Sequence, residues 1–517
     1  CGFHALGTLL PVCAFVSGKY KPFTNIHKMK KALLFFIFAL VLSSCSKSEA
    51  PAPTPQAIVT LSDGSSVSDN VEMTAGNTVK FSAKCDNAQI RRCDWYIDGQ
   101  LKSVADYLEF SPVQPGTYEI KLIVTAYGES QATVVFSVTV YGPYKSGTYI
   151  LVEGNMSSDN GSICFVDENG AFYSDPYGQA NLNEGRPTSP GNVLQDMFIY
   201  KDKAYFVTQN GTSQGQGARL VKCDAQTLKA EKFYTGSIDD ETVWPQHIVV
   251  VNENKAYIRW SQSGMETTSG IRVMNLATGQ WSPESIEGTE GAFTVSGSTK
   301  ARMLLQGDKV YAPCGQYLKI IDTNTDKVIK TIDFGATRQT KDIAKGHDGN
   351  IYMLVSGTFT GGFYSPTYGS EATVVCIKPS DDSYTEKELP AEMQMPVATW
   401  SPNVGMCASF TEDALFFRMG TGYSTSVVAR YEYKTGTAKK LLDVSGQSGL
   451  GFLVYGYLGV DKNDVLYVGT TDYSNSMIGT FDAKTGARLE KTYQIRSGSP
   501  AGIDFTYRFS DEYLGRN

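Results

Sequence analysis

Apolar and polar residues alternate with a period of two along most of the chain, and turns rich in Asp, Asn and Gly interrupt this alternation. Residues 303–332 hold one complete unit, with four short alternating segments in succession. A period of two with such turns is typical of antiparallel β-strands. The pattern therefore predicts an all-β protein in which residues 303–332 form a four-stranded meander.

The meander recurs in variant form, and an aromatic residue marks the same position in each full copy. These markers are separated by roughly 40 to 65 residues, which is about the period of β-propeller blades. Six full copies are predicted, marked by Tyr205, Tyr257, Tyr311, Tyr352, Phe416 and Tyr467.

A seventh copy begins near Tyr149 but lacks an innermost strand. Residues 500–509 resemble an innermost strand and have no hairpin after them. Pairing of these two segments would close a ring and remove the exposed sheet edges of an open array. We therefore predict a seven-bladed β-propeller over residues 146–517, closed by the C-terminal strand.

A different strand pattern precedes the propeller. Residues 57–141 contain short alternating strands at close spacing, with Trp95 on a central strand, which predicts a β-sandwich. Residues 94–99 and 115–118 resemble the PKD/immunoglobulin-like modules of bacterial surface proteins. The resemblance implies an Ig-like β-sandwich that serves as a spacer or docking module.

The N-terminal segment carries targeting signals. Residues 29–44 combine a basic start, an apolar core and small residues, as in a signal peptide, and residues 1–28 are predicted to be a mis-assigned upstream extension. Residues 42–45 resemble a bacterial lipobox, which implies lipidation of Cys45, with an ordinary cleaved signal as the alternative. Residues 45–56 would then be the lipidated cysteine and a proline-rich linker. We expect an outer-membrane lipoprotein exposed at the cell surface.

Charge, and the positions of the cysteine, histidine and glycine residues, argue against several classes of function. The formal net charge is -7, and no basic run occurs beyond the N-terminus, which argues against nucleic-acid binding. Cys85 and Cys93 could form a disulfide in an oxidising compartment. His247 and His347 lie in different blades without a neighbouring Cys or His, so no metal site is predicted. No glycine-rich phosphate loop opens a helix, and we predict no cofactor.

The run 152–160 in the first blade, together with the repeated hairpins, resembles the YncE-like, cobalamin-binding family of surface propeller lipoproteins. This resemblance covers roughly residues 146–517. It implies capture of a corrinoid, a vitamin B12-like ligand, and a TonB-dependent transporter as partner. It supplies no ligand-contact residues.

The candidate ligand site is a funnel formed by the segments that lead into the innermost strands, because these strands surround the axis. Aromatic faces mixed with hydrogen-bonding groups suit a bulky, partly polar ligand. The predicted contacts are Arg186, Trp244, Gln246, His247, Arg302, Lys341, Trp400, Asn403, Tyr455 and Arg496, and Gln195 and Asp342 lie on the same segments.

These features favour a lipid-anchored protein that captures a nutrient without catalysis. Two alternatives stay open. One is a propeller lyase or hydrolase acting on glycans, which a cluster of Tyr, His, Arg and acidic groups in the funnel would favour. The other is an adhesion scaffold that binds proteins through its blade faces.

Overall fold

The computed structural model describes residues 54–263, 268–291, 301–361, 366–397, 404–420, 425–495 and 498–516. The predicted all-β fold is confirmed, since strands dominate this part of the chain and its helices are short. Among these residues, no helix is both long and apolar enough to span a bilayer. Cys45 and the predicted signal peptide lie outside the described residues.

Residues 57–141 form two sheets with a shared hydrophobic core. One sheet has the strand order β1-β3-β6 and the other β2-β8-β7-β4-β5, in which β2 runs parallel to β8. Trp95 is fully buried between the sheets, where its indole nitrogen donates to the Ala105 carbonyl oxygen at 3.1 Å. The strands are β1 (Ala57–Thr60), β2 (Asn70–Thr74), β3 (Val79–Cys85), β4 (Ile90–Ile97), β5 (Gln100–Ser103), β6 (Tyr107–Phe110), β7 (Gly116–Ala126) and β8 (Gln131–Tyr141).

Cys85 and Cys93 are free thiols, so the disulfide considered from the sequence is not formed in this structure. The two residues lie on strands of different sheets, β3 and β4. Cys85 Sγ donates to Asn87 Oδ1 at 3.2 Å. Cys93 is buried in the core, and burial raises the pKa of its thiol to about 11. The thiol of Cys93 is therefore protonated at neutral pH and unreactive.

Within the described residues, 147–505 form seven sheets, each built around antiparallel neighbours. Sheet 1 contains β9 (Gly147–Val152), β10 (Ser162–Asp167) and β11 (Phe172–Tyr173). Sheet 2 contains β12 (Asn192–Tyr200), β13 (Lys203–Gly211), β14 (Leu220–Asp224) and β15 (Ala230–Phe233). Sheet 3 contains β16 (Val243–Asn252), β17 (Lys255–Gln262), β18 (Ser269–Asn275) and β19 (Gln280–Trp281). The helix α1 (Pro176–Leu182), capped by the Asp175 side chain, follows sheet 1.

The remaining sheets repeat this arrangement. Sheets 4 and 5 contain β20 (Leu304–Gln306), β21 (Lys309–Cys314), β22 (Tyr317–Asp322) and β23 (Lys327–Asp333); and β24 (Thr340–Lys345), β25 (Ile351–Val355), β28 (Thr373–Ile377) and β29 (Tyr384–Glu388), with the hairpin β26 (Phe359–Thr360) and β27 (Thr367–Tyr368) inserted. Sheets 6 and 7 contain β30 (Cys407–Ala408), β31 (Ala414–Met419), β32 (Val427–Glu432) and β33 (Thr437–Asp443); and β34 (Leu453–Val454), β35 (Gly459–Val460), β36 (Val465–Thr471), β37 (Ser476–Asp482) and β38 (Arg488–Gln494).

The C-terminal strand β39 (Pro500–Phe505) completes sheet 1 by pairing antiparallel with β9. This is the pairing expected from the sequence. The innermost strands then contact one another in order, from β39 to β12, β16, β20, β24, β30, β35 and back to β39. They therefore surround an axis, as in a propeller.

The residues after β39 cover one end of this axis. They form a 3-10 turn (Thr506–Phe509) and the short helix α2 (Asp511–Leu514), and residues 506–516 are named the C-terminal plug. The downstream end of the axis, where the chain leaves the innermost strands, is thereby occupied. The plug contacts six of the sheets. In sheets 2, 3 and 4, Phe509 packs on Phe198, Arg516 donates to Val250 O, and Leu514 O accepts from Gly307 N. In sheets 5, 6 and 7, Tyr513 O accepts from Lys345, Arg508 donates to Ala408 O, and Tyr507 donates to Val460 O.

Candidate functional site

β-Bulges interrupt several of the innermost strands at the same level along the axis. The extra residues of the bulges in sheets 2 and 3 are Gln195 and Gln246, and the bulge in sheet 5 includes Lys341. In sheet 1 the bulged residue is Ala501. A bulge leaves a residue outside the regular ladder and turns its side chain in a new direction. The bulges therefore interrupt the alternation where the strands approach the upstream end of the axis.

The position after the bulge carries chemically active side chains in most sheets. It lies two residues before the residue that pairs with the marker aromatic, or with Tyr149 in sheet 1. The occupants, from sheet 2 to sheet 7 and then sheet 1, are Asp196, His247, Arg302, Asp342, Gly405, Tyr457 and Gly502. A Cβ at Gly502 would lie 3.0 Å from Arg302 Nη2, so glycine leaves room for the guanidinium.

Arg302 is the centre of a buried group of side chains. Its two terminal nitrogens donate to both carboxylate oxygens of Asp504 at 2.8 Å. Its Nη2 also lies 2.9 Å from Asp196 Oδ1, and His247 Nδ1 lies 3.1 Å from Asp196 Oδ2. Bidentate pairing of this kind fixes the guanidinium plane as well as its position. One arginine thus joins carboxylates from sheets 1 and 2.

Asp342 and Tyr457 extend this group to the other side of the axis. The Tyr457 hydroxyl donates to Asp342 Oδ1 at 3.0 Å and accepts from Arg302 N at 3.0 Å. The Arg302 guanidinium lies 4.1 Å from the centre of the Tyr457 ring, a cation–π contact. Met406 N donates to Asp342 Oδ2 at 3.1 Å. Together these six side chains form the axial cluster: Asp196, His247, Arg302, Asp342, Tyr457 and Asp504.

The electrostatics of the axial cluster follow from burial and pairing. Burial raises the pKa of Asp342 and of Asp504. Burial acts in the same direction on Asp196, but the charges of Arg302 and His247 hold the pKa of that carboxyl below its ordinary value. A buried charge is tolerated only when its partners compensate for desolvation. The side chains therefore hold one another in place and form a rigid floor.

A second polar layer lies next to this floor. Glu153 Oε1 accepts from Gln195 Nε2 at 3.1 Å, and the Tyr455 hydroxyl donates to Glu153 Oε2 at 3.1 Å. This carboxylate therefore links sheets 1, 2 and 7. Burial lowers the pKa of Lys341 to about 7, although neighbouring Asp342 opposes the shift, and the Lys341 amine donates to Gln339 Oε1 at 2.6 Å.

Gln246 has an unmet hydrogen-bonding requirement. The side chain is fully buried, and its Nε2 donates to Ser261 Oγ at 3.2 Å. Its Oε1 has no hydrogen-bond partner among the described residues. Leaving a buried acceptor without a donor costs about 1–3 kcal/mol. Because this oxygen has no exposed surface, a ligand that brings it an N–H or O–H group removes that cost only when the groups that cover it move aside.

The family-like run 152–160 forms a loop beside these groups. Fully buried Asn192 donates through Nδ2 to the carbonyl oxygens of Asn155 and Asp159, at 3.0 and 2.8 Å. Asn155 and Asp159 also form a β-bridge. One asparagine of sheet 2 therefore fixes the shape of this loop, and Glu153 at its start enters the polar layer.

The structure brings together five of the predicted contacts. Gln246, His247, Arg302, Lys341 and Tyr455 all lie in the floor or the layer next to it. Whether they touch a ligand stays a prediction. The half-buried Trp244 lies on β16, two residues before Gln246.

Arg186 was placed wrongly. Its Nη1 donates to the carbonyl oxygen of Ala230 on β15, the outermost strand of sheet 2. The connection that follows α1 is long enough to hold Arg186 away from the axis, so the residue does not belong to the funnel. Trp400, Asn403 and Arg496 lie outside the described residues.

Sequence reasoning missed Asp196, Tyr457 and Asp504 as members of the site. Alternation alone assigned them to ordinary strand positions, since the sequence does not display bulges. For Asp196 and Tyr457 a signal existed, because they precede their marker aromatics by nine and ten residues, as Arg302 and His247 do. Asp504 lies outside this register and is recognisable only from its pairing with Arg302.

The described residues contain no group of three or more His, Cys, Asp or Glu side chains that could hold a metal ion. The carboxylates Asp196 and Asp504 share the guanidinium of Arg302 instead. The arrangement can therefore present hydrogen-bonding groups and fixed charges to a ligand.

Several solved structures are distantly similar to this chain. A quinonprotein alcohol dehydrogenase-like protein from Bacteroides thetaiotaomicron is 16% identical, covers 87% of this chain and 99% of its own, and has a TM-score of 0.46. The periplasmic gluconolactonase of Pseudomonas aeruginosa is 12% identical, covers 69% of this chain and 99% of its own, and has a TM-score of 0.44. An auxiliary nutrient binding protein of Bacteroides ovatus is 12% identical, covers 90% of this chain and 97% of its own, and has a TM-score of 0.33.

No curated protein matches the chain. The family model described as Domain of unknown function (DUF5074) matches residues 146–505, which is the region of the seven sheets and their axial cluster. The chain therefore belongs to the DUF5074 family.

Proposed function

We propose that this protein is a lipid-anchored ligand-capture protein at the cell surface. In this proposal a seven-bladed propeller binds a bulky nutrient at the upstream end of its axis, and an Ig-like module joins the propeller to the anchor. A corrinoid is the first candidate ligand, and a TonB-dependent transporter is the candidate partner that receives it. The family resemblance of the 152–160 run supports both of these candidates.

The polar layer on the axial floor is the observation that carries the proposal. Burying Gln246 with an unpaired oxygen and Lys341 in a low-dielectric site opposes stability. Groups retained at such a cost, and gathered from different sheets around one axis, are typical of ligand sites. Amide, carboxylate and hydroxyl groups suit a ligand with many amides, which is the chemistry that a corrinoid presents at its periphery.

Titration tests the proposal. Purified protein without its lipid is titrated calorimetrically with cobalamin and, in parallel, with haem, a ferric siderophore and oligosaccharides. We expect cobalamin to bind, and we expect Tyr455→Phe and Trp244→Ala to weaken its binding. Loss of the anchoring aromatic group in Trp244→Ala costs on the order of 2 kcal/mol, which is about thirtyfold in Kd. Tyr455→Phe keeps the ring and removes only the hydroxyl that donates to Glu153, so its effect should be smaller.

Arg186→Ala is the matched control, because the side chain of this arginine contacts the outermost strand of sheet 2 rather than the axis. It should bind cobalamin as tightly as the wild type. Absence of cobalamin binding at about micromolar concentration would refute the corrinoid assignment. Equal binding by all variants would place the ligand elsewhere on the protein.

A glycan lyase or hydrolase is the second candidate, because the axial cluster contains the Tyr, His, Arg and acidic side chains that such chemistry uses. Tyr457, His247 and Arg302 meet there with three carboxylates. The mutual pairing of these groups favours a structural role. Incubation with uronic-acid oligosaccharides and chromatography of the products decides between the two functions: cleavage that His247→Ala abolishes would replace capture by catalysis.

Surface anchoring has its own test, since Cys45 precedes the described residues. In the native host, Cys45→Ala should move the protein from membranes to the soluble fraction. Intact cells treated with protease should lose the wild-type protein. Unchanged membrane association of the variant, without an acylated N-terminal peptide, would contradict the lipoprotein assignment.

A further inference from the structure

The β-sandwich joins the propeller at the downstream end of sheet 2. The sandwich ends with β8 at Tyr141, and the next residue, Gly142, donates through its backbone N–H to Gln226 Oε1 at 2.8 Å. Gln226 lies in the turn between β14 and β15. This turn follows Asp224, which pairs with Lys203 where β13 begins, at the downstream end of the sheet. The sandwich is therefore attached to the end of the propeller that the C-terminal plug covers.

The joint is packed closely on sheets 1 and 2. A Cβ on Gly142 would lie 2.4 Å from the Gln226 carbonyl oxygen, so only glycine fits there. The same carbonyl oxygen accepts from Tyr144 N at 3.0 Å. The Tyr144 ring packs edge-on against Phe165 and Tyr173, with ring centres 5.4 and 5.7 Å apart. Residues 142–144 are therefore a packed joint rather than a flexible linker.

The chain enters the sandwich at the end opposite this joint. β2 runs parallel to β8 and pairs Thr74 with Tyr141, so Thr74 lies beside the joint. β3 begins shortly afterwards, at Val79, and runs away from the joint to Cys85. Cys85 pairs with Ala57, the first residue of β1. The seven residues of β3 therefore separate Ala57 from the joint by roughly 20 Å, at about 3.3 Å per residue.

The upstream end of the axis, named the mouth, lies on the other side of the propeller. The innermost strand β12 has nine residues, which separate the mouth from the downstream end by roughly 25 Å. The polar layer lies near the mouth, whereas the plug and the joint both lie at the downstream end. Along the chain the order is therefore the start of the sandwich, the joint, the plugged end and, last, the mouth.

We propose that the sandwich is a strut that holds the mouth on the side of the propeller away from the membrane, so that the ligand enters directly from the surrounding medium. The inference rests on the proposed function for the membrane anchor that precedes residue 54. A tether at that point holds the end of the sandwich opposite the joint. The plugged end of the propeller then faces the membrane, and the mouth faces the medium.

Energy transfer from the protein to a labelled membrane tests this orientation. Residues 45–517 with an N-terminal hexahistidine tag are bound to phosphatidylcholine vesicles that contain nickel-chelating lipid and an acceptor dye on the headgroups. A donor dye is attached through Thr212→p-azidophenylalanine, in an exposed turn at the upstream end of sheet 2, or through Ala277→p-azidophenylalanine, in an exposed turn at the downstream end of sheet 3. Because Thr212 is on the side of the mouth, we expect weaker energy transfer from Thr212 than from Ala277.

The matched control carries a flexible Gly-Ser segment inserted after Tyr141, which frees the sandwich from the joint. The sandwich has its own hydrophobic core, so both parts should stay folded, and thermal unfolding checks this. We expect the insertion to remove most of the difference between the two dye positions. The proposal is overturned if both positions transfer energy equally without the insertion, or if the insertion leaves the difference unchanged. The measurement uses no ligand, so the strut can fail while ligand capture stands.

Discussion

The two ends of the innermost strands are built on opposite principles. At the downstream end, apolar residues such as Met197, Ile248, Ile343 and Ile503 line a small cavity of about 120 Å³, which the C-terminal plug covers. The axial cluster borders this cavity from the upstream side, through Asp196, Arg302, Tyr457 and Asp504. A few residues upstream, the same strands carry bulges, buried charges and an unpaired amide oxygen. Both regions belong to the same strands, so strand geometry alone does not account for the difference.

This contrast separates stability from function within one set of strands. Apolar burial and regular pairing stabilise the downstream half at low cost. Buried charges in the upstream half rarely stabilise a protein more than apolar groups of the same size would. We infer that the upstream half is kept polar for its ligand.

Removal of residues 499–517 should have the largest effect. It deletes both β39 and the plug, and so leaves β9 as an exposed strand edge. We expect aggregation and loss of a cooperative thermal transition, measured by size-exclusion chromatography and calorimetry. Removal of residues 506–517 alone keeps β39 and should give a folded monomer of lower stability. If the larger deletion is as stable and monomeric as the full chain, another segment closes the ring.

Arg302→Ala should be the most damaging single substitution in the upstream half. It leaves Asp196 and Asp504 buried without their guanidinium partner. Breaking a buried ion pair in this way costs about 3–5 kcal/mol, measured by chemical unfolding. The control Lys201→Ala breaks an exposed pair with Glu253 and should change stability by less than about 1 kcal/mol. Equal effects of the two substitutions would show that the axial cluster is solvated.

Lys341→Met should have a smaller effect, and its size should depend on pH. The folded protein loses the Lys341 proton near pH 7, whereas the ordinary pKa is 10.5. The unfolded chain therefore binds more protons between these values, and stability rises with pH across that interval. The buried amine lowers stability most at pH 7 and below.

The methionine variant should accordingly be more stable than the wild type at pH 7, and the difference should shrink as the pH approaches 10.5. Calorimetric unfolding across this range measures the effect. Lys387→Met, at an exposed site, is the control and should not change the dependence of stability on pH. If the stability of Lys341→Met depends on pH as that of the wild type does, the Lys341 amine is hydrated in the folded protein.

The sequence predicted the repeating sheets and the pairing of β39 with β9, because alternation and turn residues are local signals. It also identified Gln246, His247, Arg302, Lys341 and Tyr455, since polar residues that lead into a buried strand are conspicuous.

Other features depend on contacts that local patterns do not encode. Asp504 acquires its role from Arg302, a residue distant in sequence. Bulges shift alternation by one residue, which hid Asp196 within an ordinary strand. Arg186 was misplaced because its position depends on the path of a long connection.

Gln246→Leu tests the central claim most directly, with stability and cobalamin binding measured on the same sample. The substitution removes a buried oxygen that has no hydrogen-bond donor within the described protein. We predict that the free energy of unfolding of Gln246→Leu equals or exceeds that of the wild type, and that its affinity falls at least about tenfold. A variant that is clearly less stable and binds cobalamin as tightly as the wild type would contradict it.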